Sequence, residues 1–428
     1  MRVAFYTLGC KVNQYETELM MDLFYQSGYD VVHCDDEADV YVVNSCTVTS
    51  SGDKKARQAL RRFKRANPDA VVALTGCFPQ AFPDVDKQIP EADVITGSYN
   101  RAGIVSAVRR ALETGERVIE ITPHKKGESF EKMAVKKFSE RTRAFVKIED
   151  GCDRYCTYCI IPKARGPVRS KQMAELREEL RDLAANGYKE VVLVGINLSS
   201  YGRDLENTRL IDAVRLACSV DGIERVRLGS LEPELLTGED IQTLASLPKF
   251  CPQFHLSLQS GCDATLKRMN RHYDSAEYLR IVQDIRTAFD NPSITTDIMV
   301  GFPGETEEEF AQSLAFAERV GLAKAHVFPY SVREGTAAAR MPQLGGEVKQ
   351  QRAAEMARLT DRTRRAFLET QLGRTEEVLF ETEQDGYYHG YTKNYTPVLV
   401  KSEEALCGQI KCVKIESIVE EKCLGKLL

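Results

Sequence analysis

The sequence predicts an α/β fold in three parts: a parallel α/β domain, a partial (βα)6 barrel and a small all-β barrel. Apolar strand-like runs alternate with helical stretches over the first two parts, and this alternation is typical of parallel sheets covered by helices. In the last part, short β-like runs separated by Gly, Asn and Pro replace the helices. The 428 residues are enough for two or three domains.

We expect the first domain to cover residues 1–122. Its strand-like and helical runs alternate, and they are Val3–Leu8, Tyr15–Ser27, Val40–Val43, Lys54–Ala66 and Val71–Leu74. Residues 123–140 are polar and charged, and they predict a linker or an exposed hairpin.

The second domain, expected at residues 138–366, contains six strand-like runs, and helical stretches follow the first five. These runs begin at Arg143, Glu190, Arg225, Phe254, Ser293 and Lys324. The pattern predicts an open version of a TIM-like βα barrel, in which the chemistry takes place at the C-terminal ends of the strands. The third domain, expected at residues 370–428, predicts a small barrel of a kind that often binds single-stranded nucleic acid.

The composition is that of an ordinary globular protein, with 43% hydrophobic and 28% charged residues. A net charge of −5 argues against nonspecific coating of nucleic acid, although it leaves room for a local basic surface. No apolar run approaches the ~18 residues of a membrane span, and the N-terminus lacks the pattern of a signal peptide. We therefore expect a cytoplasmic protein with no membrane partner, in which 13 cysteines favour metal or redox chemistry over disulfides.

Cys152, Cys156 and Cys159 follow the first strand of the second domain with the spacing C-x3-C-x2-C, which brings three thiolates to one point. A [4Fe–4S] cluster usually takes four thiolates, so three leave one iron open. That iron can bind the amino and carboxylate groups of S-adenosylmethionine, whose sulfonium is then cleaved by an electron from the cluster. Structural zinc is the alternative, but it needs four ligands, and neither a histidine nor a fourth cysteine stands nearby.

The stretch GCxxxCxYCIIPxxRG, from Gly151 to Gly166, resembles the methylthiotransferase branch of the radical S-adenosylmethionine superfamily. The resemblance extends over essentially the whole chain. It implies a flavodoxin-like N-terminal domain, a central radical S-adenosylmethionine barrel and a C-terminal TRAM barrel that carries RNA contacts.

A second cysteine triplet stands at three predicted strand ends, where Cys10, Cys46 and Cys77 follow VAFYTLG, YVVNS and VVALTG. Neighbouring parallel strands would bring these thiols to one edge of the sheet, and Gly9 and Gly76 would let the backbone approach an inorganic core closely. The alternative is three buried cysteines that act as small hydrophobic residues. The other seven cysteines lack this placement.

The family resemblance implies that Cys10, Cys46 and Cys77 hold a second [4Fe–4S] cluster, whose open iron carries an exogenous sulfur atom. One S-adenosylmethionine would methylate that sulfur, and a second would yield the 5′-deoxyadenosyl radical. The radical removes a hydrogen atom from a C–H bond, and the methylthio group takes its place.

The segments TLGCKVNQYET, from Thr7 to Thr17, and YSVREGTAAARMPQ, from Tyr330 to Gln343, resemble the MtaB subfamily. This resemblance implies methylthiolation of C2 of N6-threonylcarbamoyladenosine at position 37 of tRNA, just 3′ of the anticodon. The reaction also needs an electron donor and a sulfur source, which the sequence does not identify. The alternatives are isopentenyladenosine in tRNA, a ribosomal-protein aspartate, or an iron–sulfur RNA-binding sensor without catalysis.

Polar residues and glycines at the strand ends of the central barrel are the candidate contacts for S-adenosylmethionine. They are Gly195, Asn197, Ser257, Gln259, Arg268, Asp297 and Gly301. The Gly-Gly-Glu run of many superfamily members is absent after the second strand, so no glutamate is assigned to the amino group. For each residue, helix capping or loop hydrogen bonding is the alternative.

Two sets of residues are candidates for contact with RNA. The first set lies in the basic helical stretch KKARQALRRFKR and consists of Lys54, Lys55, Arg57, Arg61 and Arg62. These side chains either bind phosphates of the anticodon loop or form a solvated helix face. The segment GYTKNYTPVLV is similar to part of a TRAM domain, and its Tyr391 and Tyr395 offer stacking faces for bases unless they simply fill the barrel.

Overall fold

A computed structural model of the chain describes residues 1–135, 138 and 142–428. Its first part, described without a gap up to residue 135, is the predicted parallel sheet with helices on both faces. The strands are β1 (Arg2–Thr7), β2 (Asp30–Val32), β3 (Val40–Ser45), β4 (Val71–Gly76), β5 (Val94–Thr96) and β6 (Val118–Glu120), and the helices are α1 (Lys11–Gln26), α2 (Ser50–Ala66), α3 (Cys77–Ala81) and α4 (Ile104–Thr114). The strand order is β2-β1-β3-β4-β5-β6, a flavodoxin-like order in which ligands bind at the C-terminal edge.

The middle strands of this sheet are apolar on both faces, which explains why helices cover both. Every residue of β3 and β4 is buried. Helix α2 begins after Thr49, whose side chain accepts a hydrogen bond from the Gly52 amide. Its residues Ala56, Leu60 and Phe63 pack in the core beneath the helix, so the basic residues between them face outwards.

Between residues 142 and 369, all of them described, parallel strands form the predicted partial barrel. The strands are β7 (Arg143–Lys147), β8 (Glu149–Asp150), β9 (Arg169–Ser170), β10 (Glu190–Val194), β11 (Arg225–Leu228), β12 (Ser230–Leu231), β13 (Gln253–Leu256), β14 (Ser293–Val300) and β15 (Lys324–Pro329). The helices are α5 (Ile161–Arg165), α6 (Met173–Ala185), α7 (Leu210–Ser219), α8 (Gly238–Ala245), α9 (Asp263–Arg268), α10 (Ser275–Ala288), α11 (Glu307–Val320) and α12 (Gly346–Glu369).

The barrel is built from two parallel sheets in chain order, β7-β10-β11 and β12-β13-β14-β15, which meet where Gly229 separates β11 from β12. Helix α1 packs against β7 and α12 against β15, so other elements cover the two outermost strands. The hydrophobic core of this part includes Val12, Tyr15 and Leu19 of α1. The first two parts of the chain therefore share a core. The short antiparallel pair β8–β9 closes the base of the loop that carries the central cysteine triplet.

The end of the chain forms the predicted small barrel, and its residues 370–428 are all described. The strands are β16 (Thr375–Gln384), β17 (Tyr387–Thr392), β18 (Pro397–Lys401), β19 (Ile410–Val419) and β20 (Lys422–Leu427). They close in the order β16-β17-β18-β20-β19, so no sheet edge is left open in it.

The small barrel docks on the N-terminal ends of the central strands through arginines that donate to its backbone. Arg225 donates to the carbonyl oxygens of Tyr391 and Glu377 at 3.0 and 2.8 Å. Arg227 donates to the carbonyl oxygen of Lys393 at 2.9 Å. The N-terminal sheet docks nearer the other end of β7, where Glu16 accepts from Lys147 at 2.7 Å.

The segment after β6 differs from the predicted linker or exposed hairpin over residues 123–140. In its described part, Phe130 and Val135 are buried, and Glu131 pairs with Arg101. Two apolar residues spaced along a polar run can hold it at the interface between two domains. The average polarity of the run gives no sign of this, so the sequence predicts an exposed segment. Residues 136, 137, 139 and 140 of that prediction lie outside the described residues. No helix in the described part of the chain has the length and apolar character required to cross a membrane.

Candidate active site

Cys10, Cys46 and Cys77 lie at the C-terminal ends of β1, β3 and β4, which are adjacent in the sheet. The residue before Cys10 must be small here, because a Cβ on Gly9 would lie 2.8 Å from the Cβ of Cys46. Gly9 also has a φ of +119°, a conformation that residues with a side chain rarely adopt. The sheet order therefore brings the three thiols of this triplet, the N-terminal triplet, to one edge.

Polar groups surround the sulfur atoms of the N-terminal triplet. The Arg165 Nε donates to the Sγ of Cys77 at 3.1 Å, and the Val48 amide donates to the Sγ of Cys46 at 3.5 Å. Burial raises the pKa of the Cys77 thiol to about 12 and also raises the pKa of Cys46. Both thiols are therefore neutral until a metal displaces their protons, whereupon the arginine stabilises the thiolate charge.

Cys152, Cys156 and Cys159 lie in the loop between β8 and α5 and form the central triplet. Asn197 Nδ2 stands 3.8 Å from the Sγ of Cys152, and Arg271 Nη1 donates to the Sγ of Cys156 at 3.3 Å. Burial raises the pKa of Cys152 to about 12 and also raises the pKa of Cys159. Each triplet thus combines thiols whose pKa is raised by burial with nearby hydrogen-bond donors.

The spacing of both triplets fits a cluster better than a single ion. Ligands of one ion converge closely, and tetrahedral zinc holds each sulfur at about 2.3 Å. Among the described residues, only His33, Cys34 and Asp35 bring three ligand atoms within 4.8 Å of one another, and neither triplet does so. Among the described residues neither triplet has a fourth ligand that completes such a compact group, and three sulfurs of this kind suit a [4Fe–4S] cube with an open iron.

A cavity of about 160 Å³, the cluster cavity, adjoins the central triplet and the loop that follows Cys46. Cys159, Gln259 and Thr49, three residues after Cys46, are among the residues that line it. Asp297 from β14 also lines it. A small molecule in this space would therefore contact both the central barrel and the loop that follows Cys46.

The structure brings several of the predicted S-adenosylmethionine contacts to this region. Gln259 and Asp297 line the cluster cavity, and Asn197 faces Cys152. The side-chain oxygens of Asn197 and Gln259 are buried and have no hydrogen-bond partner, so they are available to a polar ligand. Gly195 lies directly against Glu149, because a Cβ at Gly195 would stand 2.6 Å from the Glu149 carboxylate.

The remaining predicted contacts have other neighbours. Ser257 is buried just after β13, where its amide donates to the Leu231 carbonyl at 3.0 Å. The Arg268 guanidinium is bound to the carboxylate of Glu309 rather than directed at the central triplet, with Nη1 2.7 Å from Oε1. Gly301 packs against Lys349, whose Cγ would lie 2.5 Å from a Cβ at that position. Neither Arg268 nor Gly301 lines the cluster cavity.

Arg271 is the residue that sequence reasoning missed. It lies in the same LKRMNR stretch as Arg268, but it is Arg271 that reaches the Sγ of Cys156. The signal available in the sequence was the pair of arginines three residues apart close to a strand end. It could not decide which of the two faces the cysteine loop.

A second cavity of about 770 Å³, the lumen cavity, fills the interior of the partial barrel. Its wall includes Cys10, Lys11, Arg227, His255, Tyr391 and Tyr395. It therefore extends from the N-terminal triplet to the small barrel. Asp297 lines both this cavity and the cluster cavity.

Tyr391 and Tyr395, the predicted stacking residues for bases, line this cavity. Their rings stack on each other with centroids 4.4 Å apart. The Arg143 guanidinium lies 5.0 Å from the Tyr395 ring centroid, and the Arg227 guanidinium lies 4.8 Å from it. The docking of the small barrel, which the sequence does not reveal, turns these rings inwards.

The basic residues of α2 differ in their exposure and in their contacts with the rest of the protein. Lys54 and Lys55 are exposed. Arg57 donates to Gln88 at 3.0 Å, and Arg61 pairs with Glu91 at 2.8 Å. Arg62 is also exposed, and its guanidinium lies over the ring of Phe63.

Two separate segments of the chain match models of known protein families. The model of the radical SAM superfamily matches residues 146–317, and that of "Uncharacterized protein family UPF0004" matches residues 2–97. In solved structures, the radical S-adenosylmethionine methyltransferase TsrM from Kitasatospora setae matches with a TM-score of 0.58. That match covers 79% of this chain and 74% of the other at 12% identity, so it shows the fold alone.

Full-length relatives are considerably more similar. The threonylcarbamoyladenosine tRNA methylthiotransferase MtaB of Bacillus subtilis (strain 168) is 39% identical over 96% of this chain and 93% of its own. The MtaB of Aquifex aeolicus (strain VF5) is 38% identical over 89% and 92%. The tRNA-2-methylthio-N(6)-dimethylallyladenosine synthase of Pelotomaculum thermopropionicum is 33% identical over 95% and 93%. With two separate cysteine triplets on the matching folds, the chain belongs to the radical S-adenosylmethionine methylthiotransferase family.

Proposed function

We propose that the protein methylthiolates C2 of N6-threonylcarbamoyladenosine at position 37 of tRNA, giving 2-methylthio-N6-threonylcarbamoyladenosine. The observation that carries this proposal is the presence of two cysteine triplets, with Cys159 of one in the wall of the cluster cavity and Cys10 of the other in the wall of the lumen cavity, in a chain whose relatives named MtaB are 36–39% identical to it. One triplet suits radical generation and the other suits sulfur transfer. The reaction requires both beside one substrate carbon.

We assign Cys152, Cys156 and Cys159 to the [4Fe–4S] cluster that binds S-adenosylmethionine. Cys10, Cys46 and Cys77 are assigned to the auxiliary [4Fe–4S] cluster. Bound there, these groups supply a 5′-deoxyadenosyl radical, a methyl group and a site for sulfur. This chain's part is to position them through its cysteines and to place hydrogen-bond donors at the sulfurs.

The cluster cavity and the surroundings of Cys152 supply the remaining contacts of the proposed cofactor site. Asn197 and Gln259 offer oxygens that lack partners in the protein, and a ligand ammonium or ribose hydroxyl would satisfy them. Asp297 offers a carboxylate to the same space. Thr49, from the loop that follows Cys46, also lines this space.

The anticodon loop of tRNA is the proposed partner. Lys54 and Lys55 are exposed cations on α2, and they suit contacts with its phosphates. An external reductant and an external sulfur source complete the proposed reaction. We further propose that the protein acts in the cytoplasm without a membrane partner, and that its domains span residues 1–122, 138–366 and 370–428.

Nucleoside mass spectrometry of bulk tRNA tests this function in cells with and without the gene. We expect 2-methylthio-N6-threonylcarbamoyladenosine to disappear on deletion and to return with the wild type and with Cys218→Ala, a cysteine outside both triplets. Cys156→Ala should not restore it. If this nucleoside is unchanged on deletion, the proposal is wrong, and the isopentenyl nucleoside and ribosomal proteins become the substrates to examine. No change in any of these, with iron still bound, would favour a sensor.

A further inference from the structure

Lys11 directly follows Cys10 and lines the lumen cavity. Its side chain is exposed, and the surface that it presents belongs to the wall of this cavity. Among the described residues, the structure records no hydrogen bond or ion pair for the Lys11 ammonium. A lysine so placed holds a positive charge beside the N-terminal triplet.

The charges around Lys11 do not balance. Three arginines at the N-terminal ends of the central strands, Arg143, Arg225 and Arg227, share the buried Glu190 at 3.8, 3.7 and 2.9 Å. Arg143 also pairs with Glu381 of the small barrel. In the wall of the lumen cavity itself, cationic side chains also outnumber carboxylates: Lys11, Arg227, Lys324, Arg364 and Lys422 stand against Asp297 and Glu421.

The three arginines already donate hydrogen bonds within the protein, whereas none is recorded for the Lys11 ammonium among the described residues. Arg225 and Arg227 donate to backbone carbonyls of the small barrel, and Arg143 donates to the Tyr395 hydroxyl at 3.2 Å. A ligand with an anionic group would thus find the Lys11 ammonium ready to bind it beside the N-terminal triplet, with other cations of the cavity wall close enough to add favourable charge. An apolar ligand would leave the Lys11 ammonium unpaired in a confined space, which is unfavourable.

We propose that the lumen cavity receives the N6 substituent of the substrate adenosine and that Lys11 binds a carboxylate on it. This inference rests on the proposed function and names a specificity-determining residue for it. In adenine a single ring atom, N1, separates C6, which bears the substituent, from C2, the carbon to be modified. A residue next to Cys10 is therefore well placed to hold the threonyl carboxylate while C2 faces the N-terminal triplet.

The test compares two synthetic anticodon stem-loops that differ only in the threonyl group, one with its carboxylate and one with the uncharged carboxamide. Holoenzyme turnover gives kcat/KM for each by mass spectrometry, and fluorescence anisotropy without reductant gives Kd. A charge-assisted hydrogen bond in a confined site predicts a wild-type preference for the acid of about 10- to 100-fold. Lys11→Met should reduce this preference to nearly 1, while Lys11→Arg should retain most of it.

Lys189→Met is the matched control, because Lys189 is an exposed lysine outside the cavity that pairs with Glu224. It should leave the acid preference unchanged. The inference is overturned if Lys11→Met keeps the preference, or if it weakens the acid and the amide by the same factor. If Lys11→Met fails to bind iron, the wild-type enzyme still tests the inference. Equal kcat/KM values of the wild type for the acid and the amide stem-loops would contradict it. If the wild type modifies neither stem-loop, the proposed function itself fails.

Discussion

The guanidinium of Arg271 donates a hydrogen bond to the sulfur of Cys156, with Nη1 3.3 Å from Sγ. The carboxylate of Glu232 holds the arginine in an ion pair, and the Tyr273 ring packs against it at 5.0 Å from the centroid. Hydrogen bonds to the sulfurs of a cluster help to set its reduction potential. A cation at this sulfur stabilises the added electron and therefore favours the reduced state.

Replacing Arg271 should make the cluster harder to reduce. Arg271→Met removes one charged hydrogen bond, and we expect the midpoint potential of the central cluster to fall by about 60 mV. A redox titration followed by electron paramagnetic resonance measures it. Arg268→Met is the control, because the Arg268 guanidinium is bound to Glu309. An equal shift in the two variants would contradict a specific role for Arg271.

Iron content should separate the two triplets. We expect simultaneous Cys→Ala replacement of Cys152, Cys156 and Cys159 to remove about four iron atoms per chain and to leave the other cluster in place. Colorimetric iron analysis and Mössbauer spectroscopy of anaerobically purified protein measure the loss. Cys251→Ala should keep the full iron content, although this cysteine is also buried. Loss of all iron in the triple variant would show that the two sites do not assemble independently.

Acid should destabilise the contact between the N-terminal sheet and the central barrel. Burial alone would raise the pKa of Glu16, but Arg101, Arg165 and Lys147 outweigh it and hold this pKa at about 2. Because the pKa is lower in the folded state than in the unfolded state, the stabilisation is present above about pH 4.5 and is lost as pH falls towards 2. Its size is about 3 kcal/mol.

Glu16→Gln should therefore lower the free energy of unfolding near neutral pH by about 3 kcal/mol, with the difference shrinking in acid. Urea unfolding of the reduced, iron-free protein from about pH 7 to about pH 3 measures this trend. Glu113→Gln on the exposed side of α4 is the control and should change little. A difference that does not depend on pH would argue against the Glu16 charge as the cause.

Two lysines of α2 should contribute to the salt dependence of tRNA binding. We expect the double variant Lys54→Ala, Lys55→Ala to reduce the slope of log K against log salt concentration by about 1.4, the value for two phosphate contacts. Filter binding over a range of salt concentrations gives the slope. Arg61→Ala should have a smaller effect, because Arg61 already pairs with Glu91. Equal slopes for the wild type and the double variant would place the RNA elsewhere.

The parts of the structure that depend on local pattern could be predicted from the sequence. Apolar runs mark the strand ends at Cys10, Cys46 and Cys77, and the parallel order makes those ends converge. The three parts of the fold and the cysteine loop that follows the first strand of the central barrel come from the same patterns. Each of these features can be predicted from the periodicity of apolar residues along a strand or helix and from the position of a residue in that pattern.

The parts that depend on side-chain direction or docking could not be predicted. Arg271 follows Asn270, whose φ of +59° turns the chain after α9, so the arginine that reaches Cys156 is not the one on the helix. Tyr391 and Tyr395 turn inwards because the small barrel docks against the central barrel. A single sequence carries no signal for either arrangement.

The small barrel is attached by Arg225 and Arg227 to backbone carbonyl oxygens, which every type of residue carries. Substitution of the side chains at positions 377, 391 and 393 therefore leaves these acceptors in place. These three positions can diverge during evolution without loss of the contacts with Arg225 and Arg227. No other type of residue carries the planar set of donors of arginine, so Arg225 and Arg227 cannot be replaced in the same way. In these contacts, only the residues of the small barrel are therefore free to vary in sequence.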